Sequence, residues 1–195
     1  ACRKAKLHRA FMPLDDYLEK DKNDPLSPKP SQYYPATWRE ASYKDPAGNT
    51  KVYGIPSVAD DRIMYYNKAI FRENADALRA AGLDPERPPR TWSELLAYSK
   101  VLTKFRPDGT LERAGYLPNF GNTWLYIYSF QNNGSFMSSD GRNCTFASPE
   151  NVEALQFMVD GYKLIGGYEK AKGFETGFLS KENDAFIVGK VAMKT

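Results

Sequence analysis

Short runs of aliphatic and aromatic residues alternate along the chain with longer segments whose apolar residues recur at helical spacing. The short runs predict strands over residues 51–55, 62–66, 114–117 and 190–193. The helical spacing predicts helices over residues 14–18, 68–81 and 124–131, from 91 and from 148 onward, and over 180–187. Because strands alternate with amphipathic helices, the pattern predicts an α/β fold.

Local signals add detail to several of these elements. Thr91 to Glu94 form a capping box, and the helix that follows presents an apolar face made of Trp92, Leu95, Leu96 and Leu102. Ser148-Pro149-Glu150 begins another helix, whose buried stripe is predicted to be Val152, Leu155, Val159 and Tyr162. A hairpin is predicted over 136–146, and Tyr65, Tyr66 and Trp92 are predicted to be core residues.

Composition indicates a folded globular chain with no strong electrostatic partner. The 195 residues are 42% hydrophobic and 26% charged, and the longest apolar runs are far too short to cross a bilayer. The net charge of +3 is mild and spread along the chain, so no nucleic acid partner is expected. The basic segment 3–9 is interpreted as a solvated helix face, with a nucleic-acid-binding arm as the alternative.

The residues of common catalytic and metal sites are largely missing. His8 is the single histidine, so no metal is expected, and the glycine motifs of nucleotide and dinucleotide sites do not occur. No cofactor is expected either. The two cysteines, Cys2 and Cys144, are too few for a disulfide scaffold in a chain of this length.

Asp60 and Asp61 are the one carboxylate pair considered as catalytic, because they precede a strand where ligands of α/β proteins commonly bind. A glycosidase needs its two carboxyl groups on opposite sides of the sugar. Neighbouring residues on a strand point to opposite faces, so this pair is poorly placed for that chemistry. An enzyme acting on carbohydrate is therefore the alternative hypothesis, and a binding protein is the leading one.

A series of motifs, in a fixed order, resembles the family 1 extracellular solute-binding proteins of ABC sugar transporters. The motifs are residues 12–18 (MPLDDYL), 52–56 (VYGIP), 60–68 (DDRIMYYNK), 81–84 (AGLD), 88–95 (PPRTWSEL), 146–150 (FASPE), 154–157 (ALQF), and Phe186 with 189–193 (GKVAM). Each piece is weak by itself, whereas the ordered set covers nearly the whole chain.

The resemblance implies the type II periplasmic-binding-protein fold, in which a hinge crossover joins two α/β lobes. Family members are longer at both ends, so the chain looks like a middle fragment of such a protein. By this reading residues 1–58 belong to the first lobe and the approach to the hinge, and residues 59–195 form most of the second lobe.

The resemblance also implies a ligand cleft between the lobes, of the kind that closes on a bound solute. It places the ligand-binding positions at Asp60, Asp61, Arg62, Asn119, Phe120, Asn122 and Trp124. In this hypothesis Asp60 accepts hydrogen bonds from sugar hydroxyls, Asn122 donates and accepts, and Trp124 stacks on the ring. The alternatives are an Asp61–Arg62 ion pair, a helix cap at Asn122-Thr123, and burial of Trp124 in the core.

The expected partners are a sugar or oligosaccharide and the permease of an ABC transporter, with the binding protein a monomer. The expected location is extracytoplasmic, either free in the periplasm or lipid-anchored at the cell surface. Glycerol phosphates and other small polar solutes remain alternative ligands. A sensory or scaffold protein that reuses the fold is a further alternative function.

Overall fold

The computed structural model describes residues 11–44, 48–120, 123–178 and 183–195. The chain divides into two compact units, residues 1–61 and residues 62–195. Among the described residues, no helix combines the length and the apolar character needed to cross a membrane.

The first unit contains short helices and one hairpin. Its helices are α1 (Asp15–Lys20) and α2 (Pro35–Glu40), with a 3-10 turn at Pro30–Gln32. Strands β1 (Ser42–Lys44) and β2 (Thr50–Val52) pair in an antiparallel arrangement. The strand predicted over 51–55 therefore exists but ends at Val52.

The second unit is built on a four-stranded sheet with the strand order β3-β6-β5-β4. The strands are β3 (Tyr65–Tyr66), β4 (Lys104–Phe105), β5 (Leu111–Tyr116) and β6 (Val191–Lys194). The two central strands, β5 and β6, are parallel, and each outer strand is antiparallel to its neighbour. The helices are α3 (Lys68–Glu73), α4 (Ala75–Ala80), α5 (Trp92–Leu102), α6 (Leu125–Gln131), α7 (Pro149–Leu164) and α8 (Tyr168–Glu175), followed by a 3-10 turn at Thr176–Phe178.

Side-chain caps set the beginnings of two of these helices. The Asn67 Oδ1 atom accepts hydrogen bonds from the amides of Ala69 and Ile70 at 3.0 and 3.2 Å. Thr91 Oγ1 accepts from the Glu94 amide at 3.2 Å, as the capping motif predicts. The helix predicted over 68–81 is divided at Asn74, whose side-chain amide donates to the Ile70 carbonyl at 2.7 Å.

The core of the second unit contains two clusters of buried apolar residues. In the larger cluster Phe71 stacks on Tyr98 with ring centroids 5.3 Å apart, and Trp92 stacks on Phe157 at 4.6 Å. The predicted apolar face of α5 is confirmed, with Leu95 and Leu102 buried and Trp92 and Leu96 packed against the cluster. The smaller cluster comprises Leu111, Ala114, Leu117, Ile165, Ala171, Ala185 and Val191.

The buried stripe predicted for α7 is wrong at three of its four positions, and only Tyr162 is partly buried, against the smaller cluster. Val152, Leu155 and Val159 are 56%, 48% and 39% exposed. The helix instead buries Asn151, Ala154, Phe157, Met158 and Gly161. Asn151 accounts for part of this rotation, because its amide nitrogen donates to the carbonyls of Ser135 and Thr145 and so turns that side of the helix inward.

Three other sequence predictions are corrected. Tyr65 is 55% exposed and not core, while Tyr66 is partly buried against the larger cluster. The hairpin predicted over 136–146 is reduced to one antiparallel bridge between Met137 and Cys144, and Asp140 accepts hydrogen bonds from Ser138 and Arg142 in its turn. Residues 185–187 belong to a turn where the end of a helix was predicted, and residues 180–182 lie outside the described ranges.

Candidate ligand-binding site

One edge of the second unit's sheet carries a group of polar and aromatic residues that includes the predicted ligand residue Arg62. Because β5 and β6 are parallel, their carboxyl ends meet at this edge. Strand β3 is antiparallel to β6, so the residues that precede Tyr65, including Arg62, lie at the same edge. A cavity of about 350 Å³ opens there, lined by Arg62, Arg90, Tyr116, Tyr128, Gln131 and Thr195, among others.

A chain of hydroxyl groups forms the floor of this cavity. The Tyr116 hydroxyl lies 2.7 Å from the Tyr128 hydroxyl and 2.9 Å from Thr195 Oγ1. Since the Tyr128 hydroxyl donates to the Pro118 carbonyl, Tyr116 must donate to Tyr128 and accept from Thr195. Burial raises the pKa of both phenols above the ordinary value, so they stay neutral. The floor is therefore uncharged, and because both phenol protons are already donated, the phenols can only accept further hydrogen bonds.

The amide of Gln131 is held at the cavity by Trp92. The Trp92 indole nitrogen donates to Gln131 Oε1 at 3.1 Å, and the indole ring is fixed by stacking on Phe157. With its oxygen occupied, Gln131 keeps its amide hydrogens as donors. Trp92 therefore has two roles. Its ring packs against the core, and its indole nitrogen orients the Gln131 amide at the cavity.

The loop after β5 is tied to the end of β6. Thr123 Oγ1 lies 3.3 Å from the Phe120 carbonyl and 3.2 Å from the Thr195 carbonyl, and these two acceptors share its single hydroxyl proton. Lys194 places its ammonium group 5.2 Å from the centroid of the Phe120 ring, and Asp184 accepts from the same ammonium at 2.6 Å. Lys194 was not predicted from the sequence, and only its contacts with Phe120 and Asp184 identify it.

The predicted ligand residues divide between the two units. Asp60 and Asp61 are exposed at the end of the first unit, whereas Arg62 begins the second. Asn119 and Phe120 are partly buried in the second unit. Asn122 lies outside the described residues, and so does Cys2.

Trp124 immediately precedes α6 and is 51% exposed. A core side chain would be covered by its neighbours, so the alternative of burial in the core does not describe this residue. Half of the indole surface is available for contact with solvent or a solute. This exposure is compatible with the proposed stacking role.

Comparison with known proteins places the chain in one family. The model of the bacterial extracellular solute-binding protein family matches residues 5–193. The sn-glycerol-3-phosphate-binding periplasmic protein UgpB of Salmonella typhimurium is 29% identical over 173 residues. The alignment covers 85% of this chain and 34% of that relative, so the chain spans about a third of the relative's length. A probable amino-acid ABC transporter periplasmic-binding protein, y4oP of Sinorhizobium fredii, is 30% identical over 112 residues, which are 57% of this chain and 24% of that protein.

Solved structures agree with this placement. CpMnBP1 with mannotriose bound superposes with a TM-score of 0.72 at 29% identity, over 97% of this chain and 44% of that one. A solute-binding protein of an ABC transporter from Thermotoga lettingae shares the fold, with a TM-score of 0.57 at 24% identity over 94% of this chain and 42% of that one. The predicted fold class is therefore confirmed. The proteins named above are solute-binding proteins, whereas the alternative hypothesis predicted a relationship to carbohydrate-active enzymes. This chain belongs to the bacterial extracellular solute-binding protein family.

Proposed function

We propose that the protein carrying this chain captures a carbohydrate between two lobes and delivers it to an ABC importer. Residues 1–58 contribute to the first lobe and residues 59–195 to the second. The division of the chain after Asp61 lies close to this boundary and supports it. The protein acts outside the cytoplasm, as its family does, and we infer that it works as a monomer, either periplasmic or lipid-anchored.

The observation that carries the proposal is the combination of neutral hydroxyls, an amide and aromatic faces at one sheet edge. Sugars present hydroxyl groups around an apolar ring face, and protein sites meet them with directed hydrogen bonds and aromatic rings. Tyr116 and Tyr128 supply acceptors and Gln131 supplies donors for the first chemistry, while the half-exposed Trp124 supplies the second. Binding of mannotriose by the similar CpMnBP1 favours an oligosaccharide.

Within this proposal the ligand contacts are the positions expected from the sequence: Asp60, Asp61, Arg62, Asn119, Phe120, Asn122 and Trp124. Arg62 lines the cavity together with Arg90, and this pair of cations favours a second candidate ligand, a glycerol phosphate. The name of the relative UgpB points to the same chemistry.

A thermal-shift screen of the native-length protein tests the proposal and separates the two ligands. The screen compares mannobiose and mannotriose with sn-glycerol-3-phosphate and with amino acids. A ligand at about a hundred times its Kd adds roughly 2.7 kcal/mol of stability and raises the Tm visibly. A shift with the saccharides and no hydrolysis of them is the expected result. A shift with amino acids alone would contradict a carbohydrate ligand.

Trp124→Ala tests the stacking role within the same protein. Because the indole is half exposed, its removal should leave the ligand-free Tm nearly unchanged. Loss of a stacked ring should weaken saccharide binding about tenfold, measured by calorimetric titration. Tyr126→Ala, which removes an exposed aromatic residue of the adjacent helix α6, is the matched control and should keep the affinity. A lower Tm with unchanged affinity would show that Trp124 has only a structural role.

A further inference from the structure

A cavity of about 490 Å³ opens at the amino ends of the parallel strands β5 and β6. Leu111 and Glu112, the first residues of β5, line it, and so does Lys190, which precedes β6. Tyr116, at the candidate ligand-binding edge, is the last residue of β5. At about 3.3 Å per residue, roughly 16 Å separates the two ends of this strand. The cavity is therefore separate from the site proposed for saccharides.

Two aromatic rings form an apolar wall of this cavity. Phe174 of α8 and Phe178 of the following 3-10 turn have ring centroids 5.0 Å apart. Both rings pack against the smaller core cluster and also line the cavity, next to Leu111. A Cβ atom added at Gly173, which lines the cavity as well, would meet no atom within 4 Å. The wall can therefore cover an aromatic ring of a solute.

The charged side chains of the lining leave one net positive charge, because three cations stand against two carboxylates: Arg106, Lys170 and Lys190 against Asp108 and Glu112. Lys190 lies 4.0 Å from Glu112, so these two charges compensate each other. The Thr110 hydroxyl and amide donate to Asp108 Oδ1 at 2.7 and 2.9 Å and, with the nearby charge of Arg106, hold the pKa of Asp108 below its ordinary value. Both carboxylates thus have partners of their own, and Lys170 is the cation left over.

Uncharged groups hold Lys170 in place. Its Nζ atom donates to the Gly109 carbonyl at 2.9 Å and lies 5.7 Å from the centroid of the Phe105 ring. A Cβ atom added at Gly166 would lie 2.8 Å from Lys170 Cδ, so the aliphatic chain passes close to that glycine. Within the described part of the chain, no carboxylate oxygen lies within 4.0 Å of this ammonium. A fixed ammonium with two N–H groups to spare loses little conformational entropy when it binds an anion.

We propose that this cavity is a second solute site, which takes a small aromatic anion, either an aryl phosphate or an aromatic carboxylate. Lys170 donates to the anionic group, while Phe174 and Phe178 contact the ring of the solute. Arg106 adds positive charge nearby, since its carbonyl accepts from the Gly109 amide in the turn that also holds Lys170. The inference does not depend on the function proposed for the carboxyl edge of the sheet.

The site is tested in the native-length protein by NMR after labelling glycine with nitrogen-15. Phenyl phosphate, titrated to about 10 mM to detect millimolar binding, should shift the amide signals of Gly109 and Gly173. Gly173→Ala identifies one signal by its loss, and Gly109→Asn identifies the other, because Asn tolerates the φ of 78° at this position. The buried Gly134 lies outside the cavity and should not respond. Unchanged Gly109 and Gly173 signals would overturn the proposal.

Four probes separate the two parts of the solute. Phenyl phosphate and benzoate should both shift the cavity signals, and the lower of their two Kd values identifies phosphate or carboxylate as the preferred anionic group. Inorganic phosphate, which lacks the ring, and phenol, which lacks the charge, should bind at least about tenfold more weakly. Inorganic phosphate that binds as tightly as phenyl phosphate would overturn the role of the rings, and phenol that does so would overturn the anion site.

Lys170→Met tests the ammonium group. Methionine keeps an unbranched chain beside Gly166 and Phe105 but removes the charge, so the Kd for phenyl phosphate should rise about tenfold. Lys170→Arg should keep most of the affinity. Lys163→Met is the matched control, because Lys163 pairs with Asp160 at 3.0 Å on α7, outside the cavity, and its loss should leave the Kd unchanged. An unchanged Kd in Lys170→Met, with the other glycine signals in their native positions, would overturn the role of Lys170.

Discussion

At the scale of single residues, Gly115 shows how closely α5 packs on the central strand β5. A Cβ atom built at Gly115 would lie 2.2 Å from the Ser99 carbonyl oxygen and 2.5 Å from the Ser99 Cα atom. These atoms are backbone, so no side-chain rotation can relieve the overlap. The helix can approach the strand this closely only because position 115 has no side chain.

Gly115→Ala should therefore destabilise the protein by about 1–3 kcal/mol, the usual cost of overpacking a dense core. The free energy of unfolding, from urea titration followed by circular dichroism, measures the effect. The matched control is Gly173→Ala, because Gly173 lies in α8 with no atom within 4 Å of the added methyl group. That change should stabilise the helix by about 0.5–1 kcal/mol. Equal effects of the two substitutions would contradict the packing argument.

At the scale of elements, the rotation of α7 about its axis depends on a buried polar residue. Asn151 is almost fully buried, and its amide donates to the Ser135 and Thr145 carbonyls at 2.8 and 2.9 Å. A helix that turns Asn151 inward also turns Phe157 toward Trp92 and leaves Val152 outside. Turning Asn151 outward would break both hydrogen bonds of its amide nitrogen, although the Ser135 and Thr145 carbonyls also accept from Thr145 Oγ1 and from the Ser148 amide.

The rotation of α7 predicts unequal costs for two alanine substitutions. Phe157→Ala removes a ring stacked on Trp92 and should cost about 3–5 kcal/mol, whereas Val152→Ala on the exposed face should change stability by less than about 0.5 kcal/mol. Both values come from urea unfolding of the native-length protein. A larger loss of unfolding free energy for Val152→Ala than for Phe157→Ala would contradict this rotation and support the buried face predicted from the sequence.

At the scale of the whole chain, the apolar core is distributed unevenly between the two units. Among the residues that the structure describes, every buried apolar side chain belongs to residues 62–195, while Ser27 is the buried residue of the first unit. Stability is expected to follow burial of apolar area, so the second unit should carry most of it.

A chain of residues 62–195 alone should accordingly unfold in one cooperative thermal transition, monitored by near-ultraviolet circular dichroism of its aromatic residues. Residues 1–61 alone should show no such transition, because little apolar surface is buried within them. A fragment 62–195 without cooperative unfolding would show that its core needs the first unit.

The candidate site was predictable only in part. The loop that contains Phe120 and Trp124 was identified through the family resemblance, and the structure places both residues in the second unit near the carboxyl end of β5. Lys194 and Gln131 were missed, since a lysine at a strand end and a glutamine at a helix end carry no local signal. Their places follow from contacts with Phe120 and Trp92, which lie far away in sequence.

The α/β order of elements, the cap at Thr91 and the family could be predicted from the sequence alone, because these depend on neighbouring residues and on motif order. The tertiary structure decided which face of α7 is buried, that Tyr65 is exposed, and which side chains meet at the carboxyl edge of the sheet. Apolar periodicity identifies an amphipathic helix. It does not fix which face of the helix is buried when a hydrogen-bonded polar residue such as Asn151 competes with apolar residues for the interior. That competition is resolved only when strands and helices pack together, since hydrogen bonds and ring contacts between distant residues then outweigh local preference.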